Sequence, residues 1–556
     1  MKDWKRIFYL ICFAGVMVID WTRGGFTWEC WAASTNLVAV ILSALVAVNL
    51  SWKQEKAWPY VAWFGLWLAG AVTGFILWKN HPGTVFRGQF LTAAAGILCM
   101  GVVALRLVRQ WLSRRKDCEN THTPTAFIKG ISVPAVFLIV MSLLMVLSPL
   151  GEIWPMYYLA AFALLYLAET SGEEKKKIAL GISEGTILGF LIIQIWAFGF
   201  RPYDVVRYSG AYNNCNINAL CYVVTYICVL YRLHLLWQQM QRAKETEAEP
   251  DTIQRRKCGA RAIQWGIILC ACLAAALVGF VLLTMTRTAL LVVIGLTLVF
   301  GVLELFVYRK VCLWAVFRYV IGYLLCVVLL FPCVYGAVRY LPTILHHPVW
   351  WAGEYSEEKV HSFDPWNSEK YVSFDEVMDV LLSRVGLGED DLLEEGAHTD
   401  AEFSKGATIL YTEKDGDLLT GEAAKSSMRV RLAIYKKYLQ NLNFTGHELE
   451  EGYIPITPTY HAWHAQNVFI QVLFYYGIPA GVLFVILMVM AGCRAVKLAF
   501  KNREEGILLL LVWLLFVGYG MMECVWYPGQ SILFYIYFVF SLSAPRHKKV
   551  EDGKQL

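Results

Sequence analysis

"GARAIQWGIILCACLAAALVGFVLLTMTRTALLVVIGLTLVFGVLELFV", Gly259 to Val307, holds two apolar runs, 259–283 and 288–307, parted by a few residues around Thr286 and Arg287. A helix crossing a bilayer core needs about 20 mostly apolar residues. Strands of an outer-membrane barrel would instead alternate apolar and polar residues over about ten positions. These runs are continuous, so both read as spanning helices. The break between them is so short that Arg287 lies at a membrane surface or slightly inside it.

The pattern recurs along the chain, whose 556 residues are 57% hydrophobic with a mean hydropathy of +0.48. Spans are expected near 7–20, 32–51, 58–78, 88–107, 125–147, 153–168, 178–199, 217–237, 259–283, 288–307, 312–336, 466–493, 506–525 and 528–544. The fold class is an all-α polytopic membrane protein with about 12–14 transmembrane helices and one large extracytoplasmic loop domain. Helices one to eleven occupy 1–336, the loop domain 337–463, helices twelve to fourteen 464–545, and a cytoplasmic tail 546–556. The basic, then apolar start "MKDWKRIFYLICFAGVMVID" resembles a signal peptide but has no small-x-small cleavage site, so it reads as an uncleaved first helix.

Most of the fifteen cysteines lie in apolar runs, where they behave as small hydrophobes. There is no C-x-x-C, and 336–462 contains no cysteine, so neither a disulfide framework nor a zinc site is expected. No cofactor, metal or nucleic-acid partner is called for.

Basic residues crowd alternate loops, which therefore stay cytoplasmic. They fall at Lys2, Lys5 and Arg6; Lys53 and Lys56; 106–116; Lys175 to Lys177; 242–261; Arg309 and Lys310; Arg494 to Arg503; and the tail. Both termini are then inside and 337–463 outside. Between Glu354 and Lys425 that outer segment carries 19 Asp or Glu against 6 Lys or Arg, which suits a solvated cap. "EKDGD" at 413–417 has a turn signal but lacks the remaining oxygens of an EF-hand loop. From Ser426, "SSMRVRLAIYKKYLQNL" reads as a capped amphipathic helix bearing Arg429, Arg431, Lys436 and Lys437.

Arginines outside the membrane break the charge rule and ask for a reason. Arg23, Lys79 and Arg87 have no suggestive neighbours, but Arg201, Arg207, Arg287 and Arg339 lie close to helix ends. Each can snorkel to water or lipid headgroups. Each can also hold an anion, because the planar guanidinium fork suits phosphate and pyrophosphate oxygens in two-point contact. Around Arg207 the loop adds Ser209, Gly210, Asn213, Asn214, Asn216 and Asn218. Such a turn serves as a helix cap or as a set of hydrogen-bonding groups for a hydroxyl-rich, phosphorylated substrate.

"RYSGAYNNCNINA" (207–219) resembles the R-x-x-G-t-f-x-n-x-N loop of the bacterial O-antigen ligase and O-antigen polymerase-like membrane glycosyltransferases. "TRTALL" (286–291) is similar to their Ser/Thr-Arg-Ser/Thr helix start, and "RLAIYKKYLQNLNFTGH" (431–447) to their Arg-x-x-x-Trp helix and following turn. "HAQNVFIQVLFYYGIPAGVLF" (464–484) resembles the H-x-H-N-x-x-L-Q-x-x-x-x-x-G-i-x-G segment closing their large outer loop. Gln466 stands where the family has histidine, Tyr435 where it has tryptophan, and the proline-leucine of the turn is absent.

The resemblance covers roughly 200 to 490 and implies a GT-C-like, metal-independent glycosyltransferase of the bacterial cytoplasmic membrane. Its donor would be a glycan on undecaprenyl pyrophosphate, and its acceptor a hydroxyl of a glycan, lipid or surface polymer at the outer face. Arg287 and Arg431 with His464, then His461, would be catalytic. Arg207, Gly210, Asn214, Asn218, Arg429, Gln466 and Asn467 would bind substrate. Arginines would stabilise the departing pyrophosphate, and a histidine would act as general base; either histidine could instead cap helix twelve, and His464 could bind the pyrophosphate. At i and i+3 the two histidines share a face if the helix starts that early. The competing classes are a lipid-linked oligosaccharide flippase, for which Glu184, Gln194 and Glu304 are the intramembrane candidates, and a non-enzymatic polysaccharide assembly factor.

Overall fold

The computed structural model describes residues 4–22, 57–80, scattered positions between 97 and 112, 133–150, 172–211, 215–245, 253–345, 371–385, 427–456 and 461–524, less Val205, Lys310, Trp463 and Asn502. The spans expected at 32–51, 153–168 and 528–544, most of 88–107, Asn214, most of the acidic insert and the tail lie outside the described residues.

The protein is mostly helical, and seven helices among the described residues are long and apolar enough to cross a membrane. The helices are α1 (Trp4–Thr22), α2 (Trp58–Asn80), α3 (Val133–Leu147), α4 (Gly172–Phe200), α5 (Cys215–Glu245), α6 (Ile253–Leu283) and α7 (Arg287–Gly301). They continue with α8 (Leu313–Ile344), α9 (Phe374–Val385), α10 (Ser427–Gln440), α11 (Val468–Lys501) and α12 (Arg503–Gly520). Helix α7 runs straight on as a π-helix, Val302–Tyr308. A two-residue strand, β1 (Ile454–Pro455), pairs antiparallel with β2 (His461–Ala462).

Helix α5, which carries three tyrosines, two asparagines and Thr225, has 94% of its span buried, whereas the more hydropathic α6 and α7 bury 39% and 33%. Polar side chains are costly against hydrocarbon, so protein surrounds the helix that carries them, and α6 and α7 turn Trp265, Leu269, Leu291 and Leu298 outward. Within α5, Tyr222 donates to Gln194 of α4 at 3.0 Å, and Tyr226 shares hydrogen bonds with Thr297 of α7 and Tyr323 of α8. Nearer its far end His234 pairs with Glu304 of the π-helix, and both are buried.

Glycines every fourth residue (Gly181, Gly185 and Gly189) form a groove on α4 that seats α1, so that the backbones approach closely. A Cβ on Gly185 would lie 2.6 Å from the Leu10 carbonyl and 2.7 Å from Phe13 Cβ. The seam is locked by Arg6, whose Nε and Nη2 reach the Glu184 carboxylate at 2.9 and 2.6 Å, with Arg232 of α5 on the same carboxylate at 3.2 Å. Gly185→Leu is expected to force α1 from this groove and lower the unfolding midpoint of the purified protein. Gly295→Ala, whose new Cβ would meet nothing within 4 Å, is the neutral control.

Two helices depart from the expected bounds. Helix α8 passes the boundary at 336 and reaches Ile344, so Arg339 lies on it rather than past its end. Its continuation stays apolar, and Arg339 is buried, its Nε donating to the Val372 carbonyl at 3.0 Å with the Tyr371 ring 4.5 Å away. Helix α11 begins at Val468, so no helical face carries both His461 and His464. The cause is Asn467, whose Oδ1 accepts from the backbone N–H groups of Phe469 (3.0 Å) and Ile470 (3.2 Å) and caps the helix there.

Helix α11 is bent at Gly477, where φ is 82° and ψ 163°. The turn after α10 crosses it there. His447 N–H donates to the Tyr475 carbonyl at 3.2 Å, Ile478 N–H to the Asn443 carbonyl at 3.1 Å, and the His447 ring stacks on Phe474 at 3.9 Å. This crossing fixes where α10 stands relative to the start of α11.

Candidate functional site

Four pieces of chain meet beside the start of α5: the loop 201–211, the start of α7, helix α10, and the turn that leaves α12. The loop is set first. Arg201, buried, donates from Nε to the Gly210 carbonyl at 2.7 Å, and Tyr208 N–H donates to the Leu283 carbonyl at 3.0 Å. Gly210 has φ 56°, and a Cβ there would meet the Asn218 amide at 2.8 Å. Asn218 itself donates to the Tyr208 carbonyl and the Tyr222 hydroxyl. Gly210 and Asn218, expected among the substrate-binding groups, thus pack on each other and shape the loop.

What the loop presents is Arg207. Its Nη2 donates to Asn216 Oδ1 at 3.0 Å, the Thr286 hydroxyl donates to the same oxygen at 3.2 Å, and the Asn216 amide nitrogen donates to Glu523 Oε1 at 3.2 Å. Donors therefore face the amide oxygen and a carboxylate faces the amide nitrogen, which sets the side-chain orientation. Arg207 Nε is buried with no hydrogen-bond partner. Arg287, the residue after Thr286, opens α7 with its side chain exposed and makes no ion pair among the described residues.

Helix α10 supplies the other cation. It turns Ile434 and Tyr438 inward and leaves Lys436 and Lys437 in solvent. Arg431 and Tyr435, one turn apart, grip the chain leaving α12. Arg431 Nη1 donates to the Met522 carbonyl at 2.8 Å and its Nη2 meets Glu523 Oε1 at 3.1 Å. The Tyr435 hydroxyl is shared between the carbonyls of Met521 (2.8 Å) and Gln466 (3.1 Å). Arg429 lies in the first turn of the same helix.

Glu523 is buried beside both arginines. Burial raises its carboxyl above the ordinary range, against the pull of Arg431 and Arg207. Tyr435 is pushed up by burial too, despite Arg431.

His464 sits at the rim of this cluster with its side chain exposed. Desolvation by the surrounding protein and then the charge of Arg431 push its imidazole below the usual value. The Gln466 N–H donates to its Nδ1 at 3.3 Å, so the neutral ring carries its proton on Nε2. Gln466 holds a positive φ of 49°. His461 stands apart, in β2, stacked on Tyr453 at 4.5 Å. Asn467, besides its capping bonds, donates from Nδ2 to the Met521 carbonyl at 3.3 Å.

The structure thus brings together Arg207, Arg431 and, at the rim, His464; Arg287 follows Thr286 at the edge of the cluster. Asn216, one of the polar residues of the Arg207 loop, and Tyr435, at the family's tryptophan position, join them, and so does Glu523, which was not expected there. The available signal for Glu523 was an acid in the last turn of an otherwise apolar span, 506–525, since α12 ends at Gly520 and releases Glu523 into the site. No protein-family model matches the chain and no curated protein matches it, so the arrangement of these residues is what speaks for function.

Proposed function

We propose that the protein transfers a glycan from undecaprenyl pyrophosphate to an acceptor hydroxyl at the outer face of the cytoplasmic membrane, as an O-antigen ligase or polysaccharide polymerase does. The observation that carries this reading is the joined set Arg207–Asn216–Glu523–Arg431, with Arg207 Nε buried and unpartnered at its edge. A buried guanidinium nitrogen without an acceptor is costly. A pyrophosphate oxygen would satisfy it.

Glycosyl transfer from such a donor breaks the bond between the anomeric carbon and a phosphate oxygen, and negative charge collects on the departing pyrophosphate. Arg207 and the exposed Arg287 are the cations available to that charge. Arg431 is committed through Nη1 and Nη2 to Met522 and Glu523 and holds the carboxylate in place. His464, with its proton on Nε2, suits donation to a phosphate oxygen better than acceptance of a proton. The resemblance of the 207–219, 286–291 and 464–484 segments to the O-antigen ligase-like enzymes points the same way. The segment between α8 and α11 would lie on the outer face.

A lipid-linked oligosaccharide flippase is the second reading, favoured by the buried His234–Glu304 pair, the type of intramembrane ionisable pair that transporters use. The two part on experiment. In proteoliposomes carrying an undecaprenyl-pyrophosphate glycan and an acceptor, the protein is expected to release undecaprenyl pyrophosphate and form conjugate. Arg207→Ala is expected to slow release about 10²–10³-fold with unchanged expression and unfolding midpoint. Movement of the glycolipid between leaflets without cleavage would instead establish the flippase.

A further inference from the structure

We propose that Glu523 is the general base that takes the acceptor's proton; this rests on the glycosyl-transfer reading above. Both of its contacts, from Arg431 Nη2 at 3.1 Å and from the Asn216 amide at 3.2 Å, fall on Oε1. Oε2 accepts no hydrogen bond among the described residues. One oxygen is therefore held by two donors that fix the plane of the carboxylate, and the other is left to take a proton. The first oxygen orients and the second reacts.

The surroundings suit the task. The carboxyl is enclosed at the meeting of α5, α10 and the end of α12, and burial raises its affinity for a proton against the opposing pull of Arg431 and Arg207. Also facing it are Cys215 at the start of α5, Tyr519 of α12, Tyr435 of α10 and the adjacent Cys524. As thiols and phenols these are uncharged near neutral pH. His464, whose accepting nitrogen is occupied by the Gln466 N–H, is the poorer base.

In the step, the acceptor O–H bond breaks and its proton passes to Glu523 Oε2. The freed electron pair forms the bond from the acceptor oxygen to the anomeric carbon. The bond from that carbon to the phosphate oxygen breaks, and its electron pair leaves with undecaprenyl pyrophosphate toward Arg207 and Arg287. The proton on Glu523 is then returned to water.

The test uses the full-length protein in proteoliposomes, with an undecaprenyl-pyrophosphate glycan and its acceptor, and compares wild type with Glu523→Gln and Glu523→Ala. The Gln variant keeps an oxygen for Arg431 and Asn216, so donor binding is expected to stay within about twofold while transfer falls about 10²–10⁴-fold. The wild-type rate should fall as pH drops through the raised carboxyl pKa, and the residual rate of the Gln variant should lose that limb. His464→Gln should keep it. In the Ala variant, sodium azide, a nucleophile that needs no base, should restore donor consumption and give a glycosyl azide. A Gln variant at wild-type rate, or losses of transfer matched by losses of donor binding with no azide product, would overturn the assignment. If wild type transfers glycan and these results fail, only the base is wrong. If wild type consumes no donor, the glycosyl-transfer reading falls and takes the base with it.

Discussion

Gly477→Ala is expected to leave little folded protein. At φ 82° and ψ 163° the residue occupies a region that is essentially open to glycine alone. A side chain would also have nowhere to go, because a Cβ would lie 2.2 Å from the Phe444 carbonyl oxygen, which is backbone and cannot rotate away. Its counterpart is the same from the other side: Gly446 has φ 95°, and a Cβ there would lie 2.2 Å from the Tyr475 carbonyl oxygen. The two glycines are where the turn after α10 and the bent helix cross backbone to backbone. Strain alone costs about 1–3 kcal/mol, and the clash adds the loss of the His447 and Ile478 hydrogen bonds across the crossing. Thermal unfolding in detergent, followed by intrinsic fluorescence, checks this. A Gly477→Ala protein with a wild-type midpoint would show that α11 can straighten without penalty. Gly322→Ala, in open space on α8, should be neutral or slightly stabilising, since alanine is the better helix former.

Arg431→Ala is expected to remove both activity and, at neutral pH, part of the stability. The guanidinium is the main partner of a buried carboxylate, and removing one member of a buried pair costs about 3–5 kcal/mol because a charge is left without compensation. Glu523 has an escape: its pKa is already raised, and without Arg431 it rises further, so the acid can bind a proton and become neutral. The sign follows. The folded variant then binds more protons than its unfolded chain above the ordinary carboxylate range, so its stability deficit is largest at neutral and alkaline pH and shrinks as pH falls through the raised pKa. Transfer would not recover with it, since a protonated Glu523 cannot accept the acceptor's proton. The double variant Arg431→Met, Glu523→Leu replaces both partners with apolar groups and should regain stability without regaining activity. Unfolding midpoints across pH, together with transfer assays, separate the two effects. A variant equally stable at every pH would show that the pair contributes nothing.

The helices were legible from sequence because a long apolar run has one outcome in a bilayer, and 259–283 and 288–307 correspond to most of α6 and of α7 with its π-helical extension. Their ends were harder to read. The expected stop at 336 was too early, because the 337–344 stretch is apolar enough to continue, Arg339 is satisfied by a carbonyl from a distant segment, and the proline that signals an end, Pro348, comes only after Ile344. The start of α11 was in principle readable: Asn467 ahead of an apolar run is a capping signal, and it rules out the helical face imagined for His461 and His464. In the site, Arg207 stood out as an exception to the charge pattern of the loops, and Arg431 as a cation of the basic helix after Ser426. Glu523 did not, because an acid near the end of a hydrophobic span reads as the edge of the span. Asn216 was one of four asparagines in a loop, and only the fold of that loop around Arg201 and Gly210 decides which of them faces inward.

The Arg6–Glu184 pair has a consequence for how the protein is made. The two residues are 178 positions apart in sequence, and ribosomes add about 5–20 residues per second. Helix α1 is therefore synthesised roughly 10–35 s before the carboxylate that neutralises Arg6. The same delay applies to Gly181, Gly185 and Gly189, which form its seat. Throughout that interval α1 has neither its groove nor its counter-ion. When α4 emerges it brings groove and carboxylate together. Helix α1 is thus seated only after the chain up to α4 has followed it.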